Sequence, residues 1–254
     1  MKKLNLTAVS YLNTKPLLYG LLKNGMEKEL NITLDIPSAT ARKLKMGEAD
    51  LGLVPVAVIP ELEKAHVISD FCIGTVGKVQ TVCIYGDCPI EQMTHLYLDF
   101  HSRTSVELTK VLAREFWNVD PIMLPAKEGY ENKIGGRRGG LIIGDRAIGM
   151  EKRHPFVYDL GEAWLQHTGL PFVFATWIST RELPADFIRR FNSALADGLA
   201  QIPEMIYLIP PPRPDFDLHN YFTHHISYNF DARKKKALQL FLEAMNSPVQ
   251  PILF

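Results

Sequence analysis

Five consecutive residues, His101-Ser102-Arg103-Thr104-Ser105, bring an imidazole, three hydroxyls and a guanidinium together. A strand-like run ends just before them at Phe100, and Leu108, Val111, Leu112 and Phe116 follow at the spacing of one helix face. Ser102 is then a natural N-cap, with Arg103, Thr104 and Ser105 in the first turn. Free N–H groups, the positive end of the helix dipole, hydroxyls and a guanidinium would converge there, an arrangement that holds a carboxylate or phosphate. The alternative is a plain helix cap beside an exposed arginine. Other catalytic patterns are absent: there is no H-E-x-x-H, no P-loop, no G-x-S-x-G and no G-x-G-x-x-G after a strand. His224 and His225 are adjacent and so point differently, which disfavours a shared metal. Gly135-Gly136-Arg137-Arg138-Gly139-Gly140 leads into a strand and not a helix, so it reads as a turn.

Ligands of open α/β sheets bind beyond the carboxyl ends of the strands. Three more loops would therefore face the same cleft: Ser10 to Thr14, Val54-Pro55-Val56 and Gly144-Asp145-Arg146. Asp145 ends a very apolar strand, and either meets a ligand, caps the next helix or pairs with Arg146. Asn13 is a ligand donor or an ordinary loop residue, and Tyr11 faces a ligand or the core.

The elements that must position these residues alternate in α/β fashion. Leu4 to Val9 reads as a first strand, and Pro16 fits the first turn of a helix that runs to about Lys23 and stops at Asn24-Gly25. Ile32 to Ile36 is a second strand. Ser38 caps a helix through Met46 that ends at Gly47, and Leu51 to Val54 is a third strand cut off by Pro55. The passage from Gly47 to Val54 aligns without gaps with Gly136 to Ile143, each reading as a helix-ending glycine, a turn and a buried strand. That suggests two lobes of similar design. The β-prone runs Val79–Tyr85 and Phe172–Ile178 would join them, giving a first lobe of residues 1–85 plus 178–254 and a second of 86–177, with the ligand between. Phe187, Phe191 and Leu195, then Leu238, Phe241, Leu242 and Met245, mark two C-terminal helices. Ile209-Pro210-Pro211-Pro212-Arg213-Pro214 is an extended connection.

The 254 residues balance 28 basic against 28 acidic side chains, which argues against a broad nucleic-acid surface. No run of eighteen apolar residues occurs, so no membrane span is expected. Met1-Lys2-Lys3 lacks a following apolar region, and Cys72, Cys83 and Cys88 are odd in number without a C-x-x-C pair. Both observations point to a cytoplasmic protein with reduced thiols.

Several ordered blocks resemble the chorismate dehydratases of menaquinone biosynthesis: Val9-Ser10-Tyr11-Leu12-Asn13-Thr14-Lys15-Pro16-Leu17, Gly47 to Pro55, Ser102-Arg103-Thr104-Ser105-Val106, Leu141 to Ala147, and Asp159-Leu160-Gly161 with Trp164 and Thr168 to Trp177. The resemblance spans about residues 9–177. It implies a type II periplasmic-binding-protein-like fold with a central cleft, and loss of water from chorismate to give 3-[(1-carboxyvinyl)oxy]benzoate in the futalosine pathway without a cofactor. On that substrate, Arg103 and the helix start would hold a carboxylate, and Asn13 would donate to the departing oxygen. The base stays open between Asp145 and a carboxylate of the substrate itself. Ser10, Tyr11, Val54, Pro55, Ser102, Thr104, Ser105 and Gly144 would complete the substrate pocket. Two rival readings are the sister 1,4-dihydroxy-6-naphthoate synthase, whose Ser-Pro-Cys-Pro-Asn-Asp opening differs from Ser10 to Thr14, and a non-catalytic small-anion binding protein on the same fold.

Overall fold

Apolar β-prone runs build two mixed sheets in the computed structural model, which describes residues 3–245. In chain order the strands are β1 (Leu4–Val9), β2 (Leu30–Asp35), β3 (Leu51–Pro55), β4 (His66–Thr75), β5 (Val82–Gly86), β6 (His95–Leu98), β7 (Ile122–Pro125), β8 (Arg138–Ile143), β9 (Phe156–Asp159), β10 (Phe172–Ser179) and β11 (Ser227–Asn229). The helices are α1 (Lys15–Lys23), α2 (Pro37–Lys45), α3 (Arg103–Glu115), α4 (Leu160–Thr168), α5 (Ala185–Ala200), α6 (Ile202–Met205), α7 (Leu218–Asn220) and α8 (Ala232–Ala244).

The first sheet has the order β11-β4-β10-β3-β1-β2, with β1 parallel to both neighbours and β10 antiparallel to β3 and β4. The second has the order β7-β6-β8-β5-β9, with β5 antiparallel to β8 and β9. The runs expected to join the lobes thus each belong mainly to one sheet. Val82–Gly86 lies in the second, Phe172–Ser179 lies in the first, and the chain crosses in the short segments 76–81 and 169–171. The reason is pairing: Phe172 stands opposite Thr75, and Val82 opposite Ile143, so neither run is free to span the gap.

Local chemistry explains most element starts. Pro16 sits at the start of α1, where its missing N–H costs nothing. Ser102 caps α3 by accepting the Ser105 N–H at 3.2 Å, and Asp159 caps α4 through the N–H groups of Gly161 and Glu162. Ile36, not the expected Ser38, is the N-cap of α2, and Pro37 opens the helix two residues early, because proline's fixed φ suits the first helical position. Phe187, Phe191 and Leu195 of α5 and Leu238, Phe241 and Leu242 of α8 are buried, with Phe191 edge-on to Trp177. Gly47 does end its helix, whereas Gly136 (φ 57°) turns a tight bend closed by Gly135 and Arg138, so the two aligned passages share a strand but not a helix end. The Met1-Lys2 start lies outside the described residues. Among those described, no helix is long and apolar enough to cross a membrane.

Candidate functional site

Tyr11, Asn13, Pro55, Ser102, Ser105 and Gly144 meet on the wall of one partly open cavity between the sheets. β1, β3 and β8 deliver their loops to it from two sides, and α3 points its N-terminus at it. Within α3's first turn the N–H groups of Arg103 and Thr104 have no intrahelical carbonyl to reach, so this end of the helix offers donors and a positive dipole.

Four contacts bridge the cleft beside the cavity. The Tyr11 hydroxyl lies 2.7 Å from Nδ1 of His101, and the Leu12 N–H donates to both carboxylate oxygens of Asp145 at 3.1 and 3.3 Å. The Ser38 N–H donates to the His101 carbonyl at 3.2 Å, and the Ala57 N–H to the Thr104 hydroxyl at 3.2 Å. The Tyr11 ring also stacks on His101 and covers Gly144, whose φ of 64° suits only glycine well. Burial, then Asp99, push the Tyr11 phenol above its ordinary value, and burial, then Arg146, hold His101 below its own. A neutral imidazole thus faces a protonated phenol.

Asn13 is fixed from both ends. Its carbonyl accepts the Tyr228 hydroxyl at 2.9 Å, and its side-chain oxygen accepts the Thr14 hydroxyl at 3.3 Å. The amide NH₂ is the donor end of the side chain; it interacts with the Tyr221 hydroxyl, and its second N–H is left for a ligand in the cavity.

Other expected site residues stand elsewhere. Arg103 is half-exposed and pairs with Glu61 at 2.5 Å, off the cavity wall, because position N1 of α3 projects toward the segment 56–61. Burial opposes it, but Lys45 and then Arg103 draw the Glu61 carboxyl below its ordinary value. Asp145 is exposed and turned to Leu12, also off the wall, since the left-handed turn at Gly144 aims it at an N–H that begins a short 3₁₀ turn. It does not pair with Arg146, which binds Asp99 and Glu131. Ser10 is exposed, Val54 is wholly buried in β3 opposite Thr176, and Thr104 is buried beneath Ala57. The sequence reading passed over Val9, Ile73, Val79, Thr81, Val82, Ile143, Phe174 and Ala175, all on the wall. Most flank the two crossings, and a chain that passes between lobes must line the space between them.

An apolar cleft between two mixed sheets, entered by a helix N-terminus, defines a periplasmic-binding-protein-like fold. Solved structures of that architecture superpose along nearly the whole chain. A protein of Archaeoglobus fulgidus is 14% identical with a TM-score of 0.72, covering 96% of this chain and 97% of its own. A Candida albicans protein, described as showing the generic periplasmic binding protein fold, is 13% identical with a TM-score of 0.61, covering 100% and 98%. The periplasmic aliphatic sulphonate binding protein of Escherichia coli is 14% identical with a TM-score of 0.58, covering 98% and 94%.

Sequence narrows the class further. The chain belongs to the menaquinone biosynthesis family, whose model matches residues 4–247. The chorismate dehydratase of Thermus thermophilus is 27% identical over 96% of each chain, and that of Campylobacter jejuni 25% identical over 93% of this chain and 95% of its own. Among the described residues no group of three His, Cys, Asp or Glu side chains is placed to hold a metal.

Proposed function

We propose that this protein is a chorismate dehydratase, forming 3-[(1-carboxyvinyl)oxy]benzoate and water. The observation that carries this reading is the nearly full-length similarity to two chorismate dehydratases. The cavity supports it, because six of the residues expected to meet the substrate, Tyr11, Asn13, Pro55, Ser102, Ser105 and Gly144, line it together.

Chorismate is a dianion. The N-terminus of α3, with the Ser102 and Ser105 hydroxyls, takes one carboxylate through N–H and O–H donors, without a cation on the wall. The Asn13 NH₂ donates to the ring hydroxyl as it departs. Among the described wall residues there is no carboxylate and no histidine, and the Tyr11 phenol holds its proton tightly. The base is then a carboxylate of the bound substrate. It takes the ring proton, the C–H electrons form the new double bond, and the C–O bond breaks. The hydroxide leaves as water with that proton. Val9, Ile73 and Phe174 keep the cavity apolar, so a carboxylate held there is poorly solvated and more basic than in water. Aromatisation drives the step, and the protein's task is alignment.

A cytoplasmic location accords with this reading, as does the free-thiol state of Cys72, Cys83 and Cys88. The test is to incubate the purified protein with chorismate and follow substrate and product by chromatography and mass. A product lighter by one water, with a benzoate-type absorption, is the expected result. Chorismate bound but unchanged would make the protein a small-anion binder, and chorismate neither bound nor changed would reject the substrate.

A further inference from the structure

The loop that carries Asn13 belongs to the first sheet, yet it is tied to the second. Leu12 is 2% exposed and its N–H has no partner within its own short 3₁₀ turn. Both oxygens of Asp145 receive that N–H across the cleft. One residue earlier, the Tyr11 hydroxyl meets His101, also of the second lobe. One residue later, the Asn13 carbonyl is held by Tyr228 on the first-lobe side. The Leu12–Asn13 segment is therefore suspended between lobes, and the second-lobe group that holds its own backbone is a single carboxylate, that of Asp145.

We infer that Asp145 is a positioning residue: by accepting the Leu12 N–H across the closed cleft, it sets the Leu12–Asn13 peptide so that the Asn13 amide reaches the departing hydroxyl. This rests on the proposed dehydration and adds the means by which lobe closure assembles its donor. Asp145 touches no wall of the cavity, so it acts through Leu12 and Asn13 and is not the base. What the position requires is an acceptor oxygen, and a charge is dispensable.

That distinction fixes the experiment, steady-state kinetics with chorismate on the whole protein. Asp145→Ala removes the acceptor, and a donor displaced by even about 1 Å lowers kcat by about 10- to 100-fold, with KM little changed. Asp145→Asn keeps an oxygen that accepts an N–H, so its kcat stays within about threefold of the parent. In an Asn13→Leu background, adding Asp145→Ala should lower kcat no further, because the donor it positions is already gone. Melting curves on each variant separate a folding defect from a kinetic one, and Asp145→Asn keeps the test open should the alanine variant fold poorly. The inference is overturned if Asp145→Asn is as slow as Asp145→Ala, if Asp145→Ala is fully active, or if its cost persists undiminished without Asn13. A parent protein that leaves chorismate untouched fails the proposed function itself, whereas these outcomes are read only against an active parent.

Discussion

Gly144 carries two constraints at once, and Gly144→Ala separates them. A Cβ built there would lie 2.8–2.9 Å from three atoms of the Tyr11 ring. Carbon atoms rest at about 3.5–4.0 Å, so the ring or the second lobe has to retreat by at least about 0.7 Å. The residue also has a φ of 64°, and a left-handed L-residue costs about 1–2 kcal/mol. For a chain of this length that backbone cost alone lowers the melting temperature by about 2–8 °C. The steric part acts on the cleft: pushing Tyr11 back stretches its 2.7 Å contact with His101 and shifts the loop bearing Asn13. The expected outcome is a larger fractional loss of kcat/KM for chorismate than of stability. Tyr11→Ala supplies the control, since without the ring the added methyl meets no such obstacle. In a double-mutant cycle, Gly144→Ala should cost less in the Tyr11→Ala background, the residue being the backbone penalty. Equal cost in both backgrounds, or a Gly144→Ala protein as stable and active as the parent, would refute the closed contact on which this reasoning stands.

Three other outcomes are expected. Asn13→Leu should lower kcat by about 100-fold by removing a preorganised donor, and Asn13→Asp should also weaken binding by placing a negative charge beside a dianion. Steady-state kinetics on both variants checks this, and normal turnover in both would return Asn13 to the status of a loop residue. Arg103→Ala breaks a surface pair with Glu61, so it should cost less than about 1 kcal/mol and leave KM nearly unchanged, as denaturant melts and a substrate titration would show. His101 is held below its ordinary pKa, so as pH falls through about 6.5 the unfolded chain takes up a proton before the folded one does, and stability falls. His101→Gln should flatten the fall in melting temperature on the acid side of that value.

The periods and caps of the fold were readable in the residues themselves. The stripe Phe187, Phe191 and Leu195, the proline after Lys15 and the serine before Arg103 each state a local rule that the structure obeys. Strand partnership was less visible. Whether Val82–Gly86 belongs to one sheet or the other depends on Ile143 and Asp159, far away in sequence, and no local pattern encodes that choice. The site divides the same way. Asn13, Ser102 and Gly144 follow from strand ends and a helix start, which are local. The direction of Arg103 and Asp145 depends on where Glu61 and the Leu12 N–H happen to stand once the lobes meet, and a side chain's partner across a cleft leaves no trace in its own neighbourhood. Phe174 and Ala175 were read as connectors because of their composition, while their place on the wall follows from the paired β10 passing beneath the cleft.

The interruption of one lobe by the other has a consequence for the growing chain. Everything from Val82 to Thr168 is contiguous, so the second sheet and its helices can complete themselves as soon as they are synthesised. The first sheet cannot. Through that whole interval β3 has β1 on one side and nothing on the other while it awaits β10, and β4 has no neighbour at all, since it awaits both β10 and β11. Two apolar strands thus wait with open edges while a complete lobe folds downstream of them, the condition in which edge-to-edge association is most probable. The arrival of Phe172 to Ser179 fills the gap between β3 and β4, and the outer edge of β4 is covered only when Ser227 to Asn229 follows. A ribosome that pauses before this strand would leave the nascent protein with a finished half and an adhesive one.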